Sequence, residues 1–261
     1  MRHLALLRVF YRTSIQTDME YRADFFTRII ASLLGLLTTI GSLMVAFNYT
    51  SDIKGWSFAR VLVLLAVYYL MDGIIETFIA PNMRNIMGQV RDGTLDFVLL
   101  KPISPQFMAT FRTIVIWRIA NILVALGLAA YSVGKLSLTV GAQEATAFAI
   151  TLVAGSAVVY SFWLCLVTLT FWFVRLDNIE QVIWQAFEAG RYPIEIYPYW
   201  LRGALTYVVP VAFIITVPAK ALTGQLAFNY VFVALGVGLL SILFATAFWR
   251  YGLKHYTGAS S

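Results

Sequence analysis

The sequence has 261 residues, of which 60% are hydrophobic and only 12% are charged, with a mean hydropathy of +0.78. A soluble domain carries about a quarter charged residues, so this apolar excess excludes an ordinary soluble protein and indicates a chain that lies in lipid. In such a chain the formal net charge of +6 reflects loop orientation and contact with anionic headgroups, and it does not indicate a nucleic-acid partner.

Cysteine and histidine are too few to build a disulfide framework or an internal metal site. The single cysteine, Cys165, lies inside an apolar run, so an intrachain disulfide is excluded. The two histidines, His3 and His255, lie near the two ends of the chain. No nucleophile and base stand at a recognisable spacing, and no phosphate-binding motif is present. We therefore expect no catalytic residue, no metal and no cofactor bound by this chain, and we do not expect an enzyme.

The N-terminal segment, residues 1–23, predicts an amphipathic helix. Apolar residues recur at positions 4, 7, 11 and 15, while Arg8, Arg12 and Gln16 line another face. A basic amphipathic helix of this kind lies in the plane of the lipid headgroups instead of crossing the membrane. The alternative is a disordered basic tail, against which the regular stripe argues.

Residues 24–261 predict a single transmembrane domain. Each helical crossing of a bilayer needs about 20 mainly apolar residues, and six segments of the chain meet or approach that length. The predicted spans are residues 25–47, 58–80, 107–133, 145–174, 176–193 and 228–250. The predicted fold class is therefore an all-α polytopic membrane protein with six transmembrane helices and an N-terminal interfacial helix.

Residues 175–226 allow two topologies. The residues that break or mark this region are Pro193, Pro198, Trp200 and Pro210. Broken apolar helices are tolerated at membrane depth only where protein or a cavity covers them. In the first topology, residues 176–193 cross the membrane and residues 194–225 form a broken re-entrant element. In the second, residues 176–198 lie at the surface and residues 199–222 cross.

Four charged residues fall inside the second and third predicted spans. They are Asp72, Glu76, Arg112 and Arg118. Because a short connector joins these spans, they run antiparallel, which places Glu76 level with Arg112 and Asp72 roughly level with the second arginine. Isolated ions at depth cost several kcal/mol, so such residues usually face the bundle and pair. We predict carboxylate–guanidinium pairs; the alternatives are snorkelling to the interface and a proton relay.

Between these spans lies a charged, amphipathic stretch, residues 84–104, called here the central segment. Its polar and turn-forming residues are Gly88, Arg91, Gly93, Asp96, Lys101 and Pro102. They do not fit in hydrocarbon, so the segment lies at a membrane surface or docks on a soluble partner. Apolar residues at positions 90, 95, 98 and 99 predict a helix over residues 84–101, which the proline ends. The alternative is a solvated loop with no further role.

The short loops predict the orientation, because cytoplasmic loops of membrane proteins carry an excess of Lys and Arg. One side collects the cations at positions 2, 8, 12, 22, 84, 91, 101, 175, 250 and 254. The other side has mainly Lys54 and Lys135, joined in the re-entrant topology by Arg191, Arg202 and Lys220. We therefore expect a multi-pass protein of the plasma (inner) membrane, with both termini and the central segment cytoplasmic.

Three stretches resemble the permease, or transmembrane, subunit of type-2 ABC exporters, in the six-span branch with a separately encoded ATPase. The first is the basic amphipathic N-terminal helix, the second is residues 91–104 (RDGTLDFVLLKPIS), and the third is residues 197–202 (YPYWLR) followed by Pro210. The resemblance implies that residues 84–101 are a coupling helix, which rests in a groove of the ATPase. It also implies an outer re-entrant element, which favours the first topology.

The same resemblance implies a function. The chain would be the transmembrane subunit of an ATP-driven exporter that moves an amphipathic or lipid-linked substrate outward. ATP and Mg would bind in two partner ABC-type ATPase subunits, and a second permease copy, identical or related, would complete the pathway among membrane lipids. One departure from the family pattern is the charged fifth crossing, with Glu180 and Glu188. Two other functions stay open: a non-transporting membrane scaffold or assembly protein, and a proton-coupled carrier that uses Asp72 and Glu76.

Overall fold

The computed structural model describes residues 2–20, 22–136, 140–173 and 177–256, and these ranges form helices and connecting turns without a β-strand. The predicted segments also include residues 1, 21, 137–139, 174–176 and 257–261, which lie outside the described ranges. The helices are α1 (Arg2–Glu20), α2 (Arg22–Asn48), α3 (Phe58–Arg91), α4 (Asp96–Leu99), α5 (Pro105–Phe111), α6 (Trp117–Lys135), α7 (Ala142–Leu169), α8 (Asp177–Glu188), α9 (Tyr199–Val208), α10 (Ala212–Leu222) and α11 (Asn229–His255).

Among the described residues, five helices are long and apolar enough to cross a membrane: α2, α3, α6, α7 and α11. The bent pair α9 and α10 passes the same test of length and composition if it is taken as one span, which gives up to six. The prediction of an all-α polytopic membrane protein is confirmed.

The second predicted span is part of a longer helix. α3 has 34 residues and passes through Pro81, where the predicted span ended. A π-helical turn, Ile75–Ile79, precedes this proline, which occupies the first turn of the α-helical part that follows. Proline lacks an N–H donor and is accepted at such a position. α3 therefore continues to Arg91 and forms the start of the central segment.

The third predicted span consists of α5 and α6, with a break at residues 112–116. Four consecutive β-branched side chains occupy positions 113–116, and such side chains are restricted at χ1 in a helix. Asn82 Oδ1, Ser14 Oγ and Asp18 Oδ2 accept hydrogen bonds from backbone N–H groups of the break, at 2.8, 3.3 and 2.8 Å. An interrupted helix at membrane depth needs such partners. The interfacial helix α1 thus helps to satisfy the backbone of the third span.

α7 and α11 pack closely because small residues line their contact. A Cβ added to Gly238 would lie 3.2 Å from the Cα of Ala154, and one added to Gly252 would lie 2.5 Å from Cγ2 of Thr168. Small residues allow helix backbones to approach in lipid, where van der Waals contact contributes much of the association energy. This pair therefore fixes the last span against the middle of the bundle.

The chain between α7 and α11 first runs along α3. Glu180, near the start of α8, binds Arg84, near the end of α3. Glu195 accepts a hydrogen bond at 3.1 Å from Nε1 of Trp56, which precedes α3. Residues 180–195 therefore run antiparallel to α3 over most of its length. α8 itself has only 12 residues, and short 3-10 turns supply the rest of this path, so the predicted fifth span is less regular than a full helix.

The bent pair α9 and α10 enters the bundle and returns to the same end. The two helices meet at an angle of 78°. Glu195 binds both outer ends, because its Oε1 lies 3.1 Å from Nζ of Lys220 and its carbonyl accepts from Nη2 of Arg202 at 2.9 Å. Pro210, at the bend, lies beside Ile75 in the interior. The contacts correspond to the first of the two topologies, with a re-entrant element.

We expect Gly238→Leu to lower the melting temperature of the purified protein in detergent by about 2–10 °C. The new side chain collides with Ala154, and overpacking of this kind costs about 1–3 kcal/mol. Gly236→Leu is the matched control, since a Cβ added there meets nothing within 4 Å. Thermal unfolding of both variants is the measurement, and equal melting temperatures would contradict the close α7–α11 contact.

Candidate functional site

The central segment contains two helices joined by a turn, whereas the sequence predicted one helix over residues 84–101. α3 ends at Arg91, and Gly93 has φ of +67°, the left-handed conformation that glycine favours after a helix. The next two backbone N–H groups donate to the carbonyl of Gln89, at 2.8 and 3.2 Å. The four-residue α4 follows directly. Gly93 therefore sets the angle at which α4 leaves α3.

α4 has one buried face and one open face. Leu95, which precedes it, and Val98 are 0% and 4% exposed and belong to the main hydrophobic core. Phe97 and Leu100 lie three positions apart on one helical face and are 69% and 81% exposed. This pair lies outside the apolar stripe predicted from the sequence, which consists of positions 90, 95, 98 and 99. The sequence did contain one indication of an exposed apolar pair. The segment has more apolar residues than a single buried helix face can accommodate.

Charged and polar residues surround the exposed pair. Arg91 Nε lies 3.4 Å from Asp92 Oδ1, with both side chains exposed, and Lys101 and Pro102 are exposed directly after α4. Gly88 lies inside the last turns of α3, where an added Cβ would meet nothing within 4 Å. Two glycines were predicted to matter for coupling, Gly88 and Gly93. Of these two, only Gly93 adopts a backbone conformation that requires glycine.

Asp96 connects α4 to the end of α11. The hydroxyl of Tyr256, the residue that follows α11, lies beside its carboxylate; burial, together with this carboxylate, raises the pKa of the tyrosine above its ordinary value. The Tyr256 ring packs on Phe171 with a centroid separation of 5.3 Å, and Phe171 packs on Trp249 at the same separation. A displacement of α4 therefore acts directly on the end of the last span.

A group of five charged side chains, called here the ion network, joins α3, α6 and α8. Arg84 binds Glu76 at 2.8 Å and Glu180 at 2.6 Å. Arg118 lies 3.7 Å from Asp72 and 3.6 Å from Glu76. The three carboxylate side chains are 13–21% exposed. Pairing at this depth offsets the desolvation that an isolated ion would suffer.

The ion network brings together three of the four predicted intramembrane charges, and Arg112 is the exception. Glu76 was expected to pair with Arg112, but in the described part of the chain its guanidinium partners are Arg84 and Arg118. The prediction assumed an unbroken third span, whereas the break at residues 112–116 places the Arg112 side chain at the surface beside α1. The roles of Arg84 and Glu180 were missed, because depth was counted only between the second and third spans.

The residues predicted to mark the re-entrant element lie along one continuous path. Pro193 is buried at the start of a 3-10 turn, and Pro198 directly precedes α9. Trp200 is exposed on α9, near the end of the bundle where Glu195 lies, and Pro210 lies in the bend between α9 and α10. Exposed tryptophan is typical of membrane–water interfaces. Within the described residues, no cluster of His, Cys, Asp or Glu could hold a metal ion.

The fold defines a multi-pass helical membrane protein with a structured polar surface at one end of its bundle. The chain belongs to the ABC-2 family of transporters: the family model described as ABC-2 family transporter protein matches residues 33–260. The resemblance to type-2 ABC permeases is thereby confirmed. The chain is the transmembrane component of an ABC transporter, which implies an ATPase partner. α1 lies N-terminal to the matched region. No curated protein matches the chain.

We expect Arg84→Gln to lower the free energy of unfolding by about 2–3 kcal/mol, because Glu76 and Glu180 lose their shared guanidinium. This loss of unfolding free energy is smaller than that for a fully buried ion pair, because the Arg84 side chain is 39% exposed. Adding Glu180→Gln should recover part of the loss, because it removes one of the unpaired charges. Denaturant unfolding in detergent measures both changes.

The control is Arg250→Gln, which removes an exposed cation near the end of α11. This change should leave the unfolding free energy within about 0.5 kcal/mol of the wild type. If Arg84→Gln were as mild as the control, the ion network would not stabilise the bundle.

Proposed function

We propose that this chain is the transmembrane subunit of an ATP-driven exporter, energised by a separate ATPase that docks on the central segment. The family supplies the transport role and the ATPase partner. The place of docking, the outward direction and the nature of the substrate are the proposal. The observation that carries it is the exposed pair Phe97 and Leu100 on α4.

The surroundings of this pair favour a protein partner over lipid. Arg91, Asp92 and Lys101 are exposed around α4 and would be expensive to place in hydrocarbon. Phe97 and Leu100 therefore face the aqueous side of the membrane surface, where adjacent large apolar side chains mark an interaction site. A short helix with an apolar face and a charged rim suits a groove on a soluble subunit.

The attachment of α4 supports transmission of force from that subunit. Leu95 and Val98 hold it in the core, the Gly93 turn joins it to α3, and Asp96 joins it to the end of α11 through Tyr256. Closure of two ATPase subunits on ATP would move α4 and, with it, the spans on both sides. In the proposed transporter, two permease copies, identical or related, alternate between inward- and outward-open states by this movement.

The orientation follows the same proposal. α1, the central segment and Tyr256 lie at one end of the bundle, because Lys101 and Val9 line one cavity and Asp96 lies beside Tyr256. By the positive-inside rule this cation-rich end faces the cytoplasm in the proposed transporter, which we place in the plasma (inner) membrane. The re-entrant pair then opens toward the outer side.

The apolar lining at the re-entrant bend favours an amphipathic or lipid-linked substrate over a hydrated ion. A narrow cavity of about 30 Å³ lies where this bend meets the bundle, lined by residues that include Trp163, Trp184, Phe187 and Pro210. This volume is too small for a substrate in the present state, but the aromatic walls offer little to a small hydrated ion. The carboxylates Asp72 and Glu76 already have guanidinium neighbours, so a transport path that relies on them as proton carriers is the weaker alternative.

We expect the double variant Phe97→Ser, Leu100→Ser to lose at least about tenfold in permease-stimulated ATP hydrolysis, because an apolar anchor at an interface contributes about 2 kcal/mol or more. Its insertion and melting temperature should stay close to wild type, since both side chains are exposed. The assay reconstitutes the chain with its ATPase in lipid and measures phosphate release.

Tyr199→Ser is the control for this double variant, because Tyr199 is 90% exposed and lies at the opposite end of the bundle. If the double variant stimulated ATP hydrolysis fully and the ATPase still copurified with it, the proposed docking surface would be contradicted.

The two glycines of the central segment provide a second, matched test. Gly93→Ala should weaken stimulated hydrolysis, because an L-residue in the left-handed conformation costs about 1–2 kcal/mol and will reorient α4. Gly88→Ala makes the same chemical change inside a helix with open space around it, and it should be neutral or slightly stabilising. Identical ATPase stimulation by both variants would show that the Gly93 turn does not set the geometry of coupling.

A further inference from the structure

A second polar feature, separate from α4 and the ion network, lies between α1 and the break in the third span. It is a cavity of about 460 Å³, within the range of sites that hold small molecules or headgroups. One wall is the face of α1 that carries Val9, Phe10 and Ser14. The opposite wall is formed by the residues around the break, including Arg112, and by Lys101 of the central segment.

The walls of this cavity divide into an apolar part and a cationic part. Val9, Phe10 and Met108 supply apolar surface, whereas Lys101 and Arg112 supply positive charge. Among the described residues that line it, Asp18 is the one carboxylate, and its Oδ2 already accepts the Ile116 N–H at 2.8 Å. The cavity therefore has a net positive charge, and Ser14 of α1 brings a hydroxyl group to its wall.

We propose that this cavity binds the phosphate-bearing headgroup of an anionic lipid, with the acyl chains leaving along the apolar side of α1. Arginine and lysine side chains bind phosphate oxygens through charge-assisted hydrogen bonds. Basic pockets on the cytoplasmic side of membrane proteins hold such headgroups. A soluble phosphate ester shares this chemistry, but Val9, Phe10 and Met108 give it nothing to contact, which favours the lipid.

A headgroup bound in this cavity would also stabilise the contact between α1 and the third span. Ser14 and Asp18 on α1 accept hydrogen bonds from the backbone of the break, so α1 must stay close to the third span for these bonds to persist. A lipid phosphate between α1 and Arg112 adds a contact across the same gap. The lipid thus fastens the interfacial helix to the break. Lys101 is shared with the rim of the proposed docking surface, so the site is tested on the chain without its ATPase.

The test measures lipid retention by the full-length chain. The purified, delipidated protein is incubated in detergent with equimolar phosphatidylglycerol and phosphatidylcholine, and bound lipid is counted by native mass spectrometry. We expect selective retention of phosphatidylglycerol. Arg112→Gln and Lys101→Gln should each weaken its binding about fivefold, and together about thirtyfold. Arg250→Gln, which removes a cation outside the cavity, should bind as the wild type does.

A separate arm distinguishes the lipid from a soluble ligand, with glycerol 3-phosphate added at millimolar concentration. Failure of this compound to displace the lipid supports the proposal, whereas its binding with equal affinity would assign the cavity to a soluble phosphate ester instead. Equal retention of phosphatidylglycerol by wild type and the double variant, or no preference over phosphatidylcholine, would overturn the site. If Arg112→Gln fails to fold, Lys101→Gln still tests the site, because Lys101 is exposed. Arg112→Lys should retain most of the lipid binding.

Discussion

The arrangement of the bundle depends on one guanidinium group, that of Arg84. It binds a carboxylate of its own helix, Glu76, and a carboxylate of α8, Glu180. Through this contact the stretch that follows α7, which has only 12 residues in a regular helix, is fixed beside the long α3. Charges at this depth are stabilising only as a set, because removing one member leaves the others desolvated without a partner. The ion network therefore helps to specify which helices lie side by side, in addition to the close packing of small residues between α7 and α11.

The same requirement for internal partners explains the two places where the bundle is not helical. At residues 112–116 the free backbone groups are bound by side chains of α1 and α3. At the re-entrant bend, the two helices that meet at 78° are held at their outer ends by Glu195. Both breaks lie where another element covers the backbone, as the absence of water in a bilayer requires.

Much of this fold could be predicted from the sequence, because length and hydropathy alone limit a membrane span. The apolar runs gave the positions of α2, α7 and α11, and the prolines marked the region of the bent pair. The ends of the helices were harder to predict. The predicted second span ended at residue 80, but the helix continues through Pro81, which a π-helical turn precedes. The break in the third span contains neither glycine nor proline, so no helix-breaking residue marks it in the sequence. Its cause is a β-branched run combined with side chains from distant α1, which no local pattern reveals.

The candidate site could likewise be predicted only in part. Glycine at position 93 and the charges of the central segment stand out in the sequence because hydrocarbon excludes them. The exposed pair Phe97 and Leu100 does not stand out, since Leu95 and Val98 are equally apolar and only the packing decides which pair is buried. Counting depth along two ideal helices correctly brought Asp72 and Arg118 together, but it failed for Arg112, which lies just inside the break.

The contact between Tyr256 and Asp96 bears on how the protein can be labelled. It brings the end of α11 next to α4, so a fluorescent reporter attached near Tyr256 would lie beside the proposed docking surface. A reporter at this place is well positioned to sense assembly and equally well positioned to obstruct it.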